Sequence, residues 1–195
     1  MAPPRLATFA VGGSTRYGAV ADGGIIDLTA PFGKQYPTLR EAVAAGALMK
    51  LAEAAARRSP DHALDAITWL PPIPAPEKII CIGVNYPDRN AEYKDGQDAP
   101  KYPSMFMRTP RSFVGHETPL VRPRASAQLD YEGEVVLIVG KAGRHIAESA
   151  ALDHIAAVTL CNEGTIRDWV RHAKFNVTQG KNLDRTGSLG PWLGP

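Results

Sequence analysis

Three carboxylates stand on alternate positions in "QLDYEGEVVLIVG", residues 128–140: Asp130, Glu132 and Glu134. Side chains of a strand alternate faces with period two, so the three would share a face with Val136 and Ile138. Like charges on one face repel, and a carboxylate taken out of water is costly unless a cation meets it. One reading is a solvated strand end that runs into a core; the other is a divalent metal. Glu163 closes the apolar run "AAVTLC" and could meet Glu132 and Glu134 across a sheet, unless it is a strand-end acid in water. Three carboxylates plus water form the hard, incomplete oxygen shell that suits Mg2+ or Mn2+, with positions left for a chelating substrate.

The other candidates are single residues. Lys181, in "TQGKNLDRTGSLGPW", follows a glycine and precedes a turn-rich segment, where a cation could face the acidic strand; the alternative is a solvated charge. His116, in "FVGHETPL", is the one histidine placed where a catalytic role is easy to picture. The five histidines show neither HxxxH nor HExxH spacing, which argues against zinc. Arg167 and Asp168 read as an ion pair on a helix surface, worth little.

The elements that must position these residues follow from pattern. "RLATFAVGGSTRYGAVADGGIIDLTA" has short β-type runs broken by Gly-Gly and Asp-Gly-Gly, as in a meander of hairpins. "TLREAVAAGALMKLAEAAARR" opens with Thr38 and has Glu41 at capping-box spacing, predicting a helix or a helix pair with Gly46 as the weak point. Prolines at 71, 72, 74 and 76 cannot continue a helix or a central strand, so a linker is expected there. The expected division is a small N-terminal α/β module, residues 1–70, and a second domain, residues 71–195. The second begins with the buried strand "KIICIGVNY". Residues 87–116 form a long, polar, proline-rich stretch expected to be a lid or disordered. Glu148 to Ala157 reads as a helix and "AAVTLCN" as a strand. Runs of strands with few helices predict an α+β fold with a mostly antiparallel sheet.

Bulk properties narrow the function class. The 195 residues are 44% hydrophobic and 22% charged, with a formal net charge of +2. Basic residues form no stripe interleaved with aromatics, so nucleic acid is not the expected partner. No apolar run approaches the roughly 18 residues of a membrane span, and "MAPPRLATFAVGG" lacks a signal-peptide pattern. Cys81 and Cys161 sit in apolar runs without CxxC spacing and read as buried small hydrophobes. A soluble, cytoplasmic protein is the expectation.

Five segments, in order and with matching spacing over residues 71–193, resemble the fumarylacetoacetate hydrolase family: "PPIPAPEKIICIGVNYPDRNAE", "YPSMF", "LDYEGEVVLIVGKAGRHI", "NEGTIRD" and "GKNLDRTGSLGPW". The resemblance implies a mixed β-roll catalytic domain, usually a homodimer, acting with a divalent metal on 2-oxo acids or β-diketo acids. It makes Glu132 and Glu134 the family's E-x-E metal ligands. Glu163 stands where the family usually has an aspartate ligand, and Lys181 matches the lysine that holds substrate and stabilises developing negative charge. The family's "NYxDHxxE" becomes "NYPDRNAE" here, with Arg89 in the histidine position and Glu92 retained. Arginine has no lone pair to give, so Arg89 cannot be a general base. It could bind a second substrate carboxylate, and the base would be Glu92 or His116. The implied reaction is hydrolysis of a C–C bond through an enolate; isomerisation (tautomerisation) or decarboxylation at the same site are the alternatives. Family domains continue past "GPW", so truncation at the C-terminus is expected, and with it the alternative of a non-catalytic fragment.

Overall fold

A computed structural model describes residues 4–83, 85–86, 102–174 and 176–195. The N-terminal meander consists of β1 (Leu6–Val11), β2 (Ser14–Ala21) and β3 (Gly24–Asp27), paired antiparallel. Gly12 and Gly13 both take positive φ at the first turn, as a two-residue hairpin of this hand requires. Helices α1 (Thr29–Phe32), α2 (Leu39–Ala44) and α3 (Leu48–Ala55) cover one face. Thr38 and Glu41 form the predicted capping box, and Gly46, at φ 63°, separates α2 from α3. Leu6, Tyr17, Ile26, Leu28, Leu39, Leu51 and Leu193 form the main core. Leu193 is the distant member, and it shows how the chain closes.

Strand β12 (Gly187–Gly194) pairs with β1 at Leu6↔Leu193, so the chain's last strand lies beside its first. With β9 (Gly133–Val139) and β10 (Ile155–Asn162), the sheet then runs β3-β2-β1-β12-β10-β9, with β4 (Thr68–Trp69) on β1 and β7 (Phe113–Val114) on β12. It therefore passes without interruption from the N-terminal meander to the acidic strand. All its pairs are antiparallel except β7 with β12. Two smaller ladders complete the described β structure: β5 (Ile79–Gly83) with β6 (Ser104–Arg108), and β8 (Leu129–Asp130) with β11 (Thr165–Ile166). The architecture is α+β.

Two expected elements differ. The helix predicted over Glu148–Ala157 is a run of 3-10 turns ending at His154, and β10 (Ile155–Asn162) begins at once. Ile155 and Ala157 are held instead by Val139 and Ile138 of β9 (Gly133–Val139). The expected lid over residues 87–116 is only partly open to description. Its second half contains β6, because Met105 and Met107 alternate with Phe106 as a strand requires and pair with Ile82 and Ile80. Arg89 and Glu92 lie outside the described residues.

Asp27, at the end of β3, gives the module a pH-dependent tie. Burial pushes its carboxyl up, but Arg16 and Thr29, at 2.7 and 2.8 Å, outweigh this and hold it below the ordinary value. A depressed folded-state value contributes stability above the unfolded value, about 3.9. That contribution is lost as pH falls through the lower folded value. Asp27→Asn should lower the melting temperature at pH 7, by about 1–3 kcal/mol of stability, with the gap to wild type closing as pH falls through the lowered folded value; melts across pH measure it.

Candidate active site

The acidic stretch is not one continuous strand. It breaks at Tyr131 and Glu132, between β8 and β9, and the opposing chain breaks at Glu163 and Gly164, between β10 and β11. The two breaks are joined: Glu163 N donates to Glu132 O at 2.8 Å, and Glu132 N donates to Asn162 Oδ1 at 3.1 Å. Gly164 is required here, since a Cβ would lie 1.9 Å from Thr186 O. On the regular part of the ladder Glu134 opposes Cys161, and Val136 opposes Thr159, so Glu134 shares the inner face with Val136 and Ile138 as the alternation predicts. The outer face carries Val135, Leu137, Val139, Val158 and Leu160, all exposed.

Into the joint between the breaks come three protein cations. Lys181, the last residue of α5 (Thr178–Lys181), donates to Glu132 Oε2 at 2.8 Å and to Glu163 Oε2 at 2.7 Å, with its side chain 6% exposed. Arg108, fully buried at the end of β6, donates to Glu163 Oε1 at 2.7 Å, Gly164 O, Ser112 Oγ and Thr186 Oγ1. Arg167, opening α4 (Arg167–His172), reaches Glu132 Oε1 at 2.7 Å and Asp130 Oδ2 at 2.8 Å. Thr165 Oγ1 also donates to Glu132 Oε1. The segment after Lys181 is fixed by Asn182, which accepts from Thr109 N and donates to Met107 O and Thr178 O.

The structure adds protein cations to the expected site. Glu132, Glu163 and Lys181 do meet, but both oxygens of each glutamate are already bonded. What neutralises the carboxylates in this structure is an ammonium and two guanidiniums, and among the described residues no group of three or more His, Cys, Asp or Glu converges as a metal cage. Burial pushes Glu132 up, yet Lys181 and Arg167 outweigh it and hold its carboxyl below the usual range.

Glu134 differs. Burial raises its pKa, the charges of Glu132 and Glu163 raise it further, and Lys181 offsets only part. Among the described residues no cation pairs with it. The donor type fits Mg2+ or Mn2+, because Glu132, Glu134 and Glu163 are all hard oxygen donors and Glu134 has no counter-charge among the described residues. The cation between the other two would have to leave. A raised folded value costs stability as pH rises through it, so Glu134→Gln should raise the melting temperature at pH 7 in chelator-treated protein; an unchanged or lower value would contradict this. Burial also pushes the Cys81 and Cys161 thiols up to about 12, so neither offers a thiolate ligand near neutrality.

The structure does not bring His116 to this cluster. Its ring packs edge-on to Trp69 at 5.7 Å, and its Nε2 lies 3.9 Å from Glu117, in a shallow groove bordered by Leu64, Asp65 and Thr68. Arg167 is not the surface partner of Asp168; Asp168 accepts from Ser126 Oγ and its own neighbour's N–H of Trp169. Arg108 is a residue the sequence reading missed. Its signal was an arginine closing the alternating run "SMFMR", where a charge beside apolar residues demands a buried partner.

Comparison with known proteins agrees with this frame. The family model for the fumarylacetoacetate (FAA) hydrolase C-terminal domain matches residues 78–195. The oxaloacetate tautomerase YisK of Bacillus subtilis is 38% identical over 135 residues, 68% of this chain and 44% of that protein. The mitochondrial oxaloacetate tautomerase fahd2 of Xenopus laevis is 37% identical over 178 residues, 88% of this chain and 54% of that protein. A crystal structure of a probable 2-hydroxyhepta-2,4-diene-1,7-dioate isomerase from Mycobacterium abscessus superposes with a TM-score of 0.73 at 28% identity, covering 97% of this chain and 63% of that one. The chain spans about half the length of the curated relatives it matches. With a sheet that carries paired glutamates, a third carboxylate and a lysine to one joint, it belongs to the fumarylacetoacetate hydrolase family.

Proposed function

We propose that the site tautomerises a 2-oxo acid, with a dicarboxylate such as oxaloacetate as the first substrate to try. The observation that carries the reading is Lys181: a buried ammonium fixed between two carboxylates, where positive charge acts at low effective dielectric. The names of two relatives, both oxaloacetate tautomerases, support the same chemistry.

A divalent cation (Mg2+ or Mn2+) held by Glu132, Glu134 and Glu163 would supply Lewis acidity toward the 2-oxo acid's oxygens. Lys181 stabilises the negative charge that grows on the 2-oxo oxygen when the adjacent carbon loses its proton. Arg167 and Arg108 keep Glu132 and Glu163 ionised and oriented. In this reading Glu92 moves the proton and Arg89 binds the distal carboxylate. Tautomerisation is favoured over C–C hydrolysis because it needs only the proton transfer assigned to Glu92, whereas hydrolysis needs in addition a second group to place and activate a water. Arginine at 89 cannot serve, and His116 contacts Trp69 and Glu117 rather than the cluster.

The test follows decay of the enol absorbance of oxaloacetate with the chain and Mn2+, against a Glu132→Ala, Glu134→Ala chain that subtracts catalysis by free metal. Acceleration by wild type alone is expected. Equal rates would leave a non-catalytic fragment, and release of CO2 or of a cleaved acid instead would favour decarboxylation or hydrolysis. A homodimer belongs to the same proposal, with the exposed apolar stripe of β9 and β10 as contact surface. A single 21.0-kDa species in sedimentation would remove that part.

A further inference from the structure

Four carboxylates, Asp130, Glu132, Glu134 and Glu163, meet three cations, Arg108, Arg167 and Lys181. The three cations are not equally movable. Arg108 is held by four oxygens besides being fully buried, and Arg167 is held between Asp130 and Glu132. These guanidiniums occupy Glu163 Oε1 and Glu132 Oε1. The two Oε2 atoms face each other across one Nζ, at 2.8 and 2.7 Å. A cation held by both glutamates would compete with the ammonium for these oxygens, and the ammonium is a point charge on a flexible four-carbon stem. Phe106, whose ring centroid lies 5.2 Å from Nζ, offers the ammonium a face to rest on nearby.

We propose that Lys181 is a displaceable counter-cation. Its ammonium holds Glu132 Oε2 and Glu163 Oε2 until a divalent cation takes those oxygens, and only then is it released to meet the substrate's negative charge. Metal entry and substrate binding are then ordered: the residue that awaits the substrate is set free by the metal. The inference rests on the metal-dependent reading above and adds a competition that this reading does not require. Keeping both cations at one point would set like charges against each other, so the lysine opposes metal binding in the resting protein.

Calorimetric titration of MnCl2 into the full chain tests it, with Lys181→Met and, as control, the exposed Lys141→Met. Lys181→Met should bind Mn2+ about tenfold or more tightly than wild type, the scale of removing one adjacent unit charge; Lys141→Met should match wild type. Wild-type binding with equal or weaker binding by Lys181→Met would overturn the displacement alone. No binding by either would overturn the metal reading with it. Should Lys181→Met fail to fold, acetylation of the wild-type chain gives the answer by mass spectrometry. Lys181 should be protected without Mn2+ and become reactive with it, while Lys141 is unchanged; a Lys181 equally protected in both states would sink the proposal.

Discussion

Arg108→Met should destabilise the protein by about 3–5 kcal/mol, the range for removing one partner of a buried ion pair. In a domain of this size that is a fall of roughly 6–20 °C in melting temperature. The guanidinium is fully buried, and its removal strips Glu163 Oε1 of its charge partner while also leaving Gly164 O and Thr186 Oγ1 without this donor. Methionine fills much of the volume, so the loss is electrostatic more than steric. A double-mutant cycle separates the two: Arg108→Met combined with Glu163→Gln should cost clearly less than the sum of the single changes, because the second removes the charge the first has orphaned. Additive losses would mean that Arg108 matters for packing against Phe113, whose ring lies 4.3 Å from its Cζ, rather than for Glu163. Guanidinium or urea melts of the four proteins decide it.

The second large effect is on turnover. In the tautomerase assay, Lys181→Met should lower kcat by about 10²–10³, the usual loss when one preorganised donor to a developing oxyanion is removed. Metal loading should move the opposite way and tighten. A loss of activity through failure to bind metal would show as rescue at high Mn2+; loss of charge stabilisation would not be rescued. Lys181→Arg keeps the charge, but its planar fork should fit poorly between two oxygens now served by one nitrogen, so partial recovery at most is expected. Full activity in Lys181→Met would end the role assigned to this lysine.

Local chemistry in the chain accounts for much of what the structure contains. Gly12-Gly13 forms the first hairpin turn, Thr38 and Glu41 form the cap, and Gly46 divides the helical stretch. Each depends on residues within a few positions of one another, where propensity and capping act without help from the rest of the fold. The shared face of Glu134, Val136 and Ile138 was legible for the same reason: period two is a property of the strand itself. Family resemblance added the meeting of Glu132, Glu163 and Lys181, which no local rule supplies.

What only the tertiary structure decided is which charges balance the carboxylates. The question posed by an acidic start to an apolar strand has two answers in sequence, water or metal; the folded chain adds an ammonium and two guanidiniums beside Glu132 and Glu163. Arg108 lay within a stretch that composition marks as a loop, and Arg167 had a nearer acid in Asp168 to distract from Glu132. Both are brought to the cluster by pairings between distant segments: β5 with β6, and β8 with β11. The position of β12 beside β1, which buries Leu6 against Leu193, is of the same kind. Alternation states that a strand has two faces; it carries no information on which strand lies next to it. That choice belongs to the burial of the whole sheet, and with it the choice of the cation each carboxylate meets.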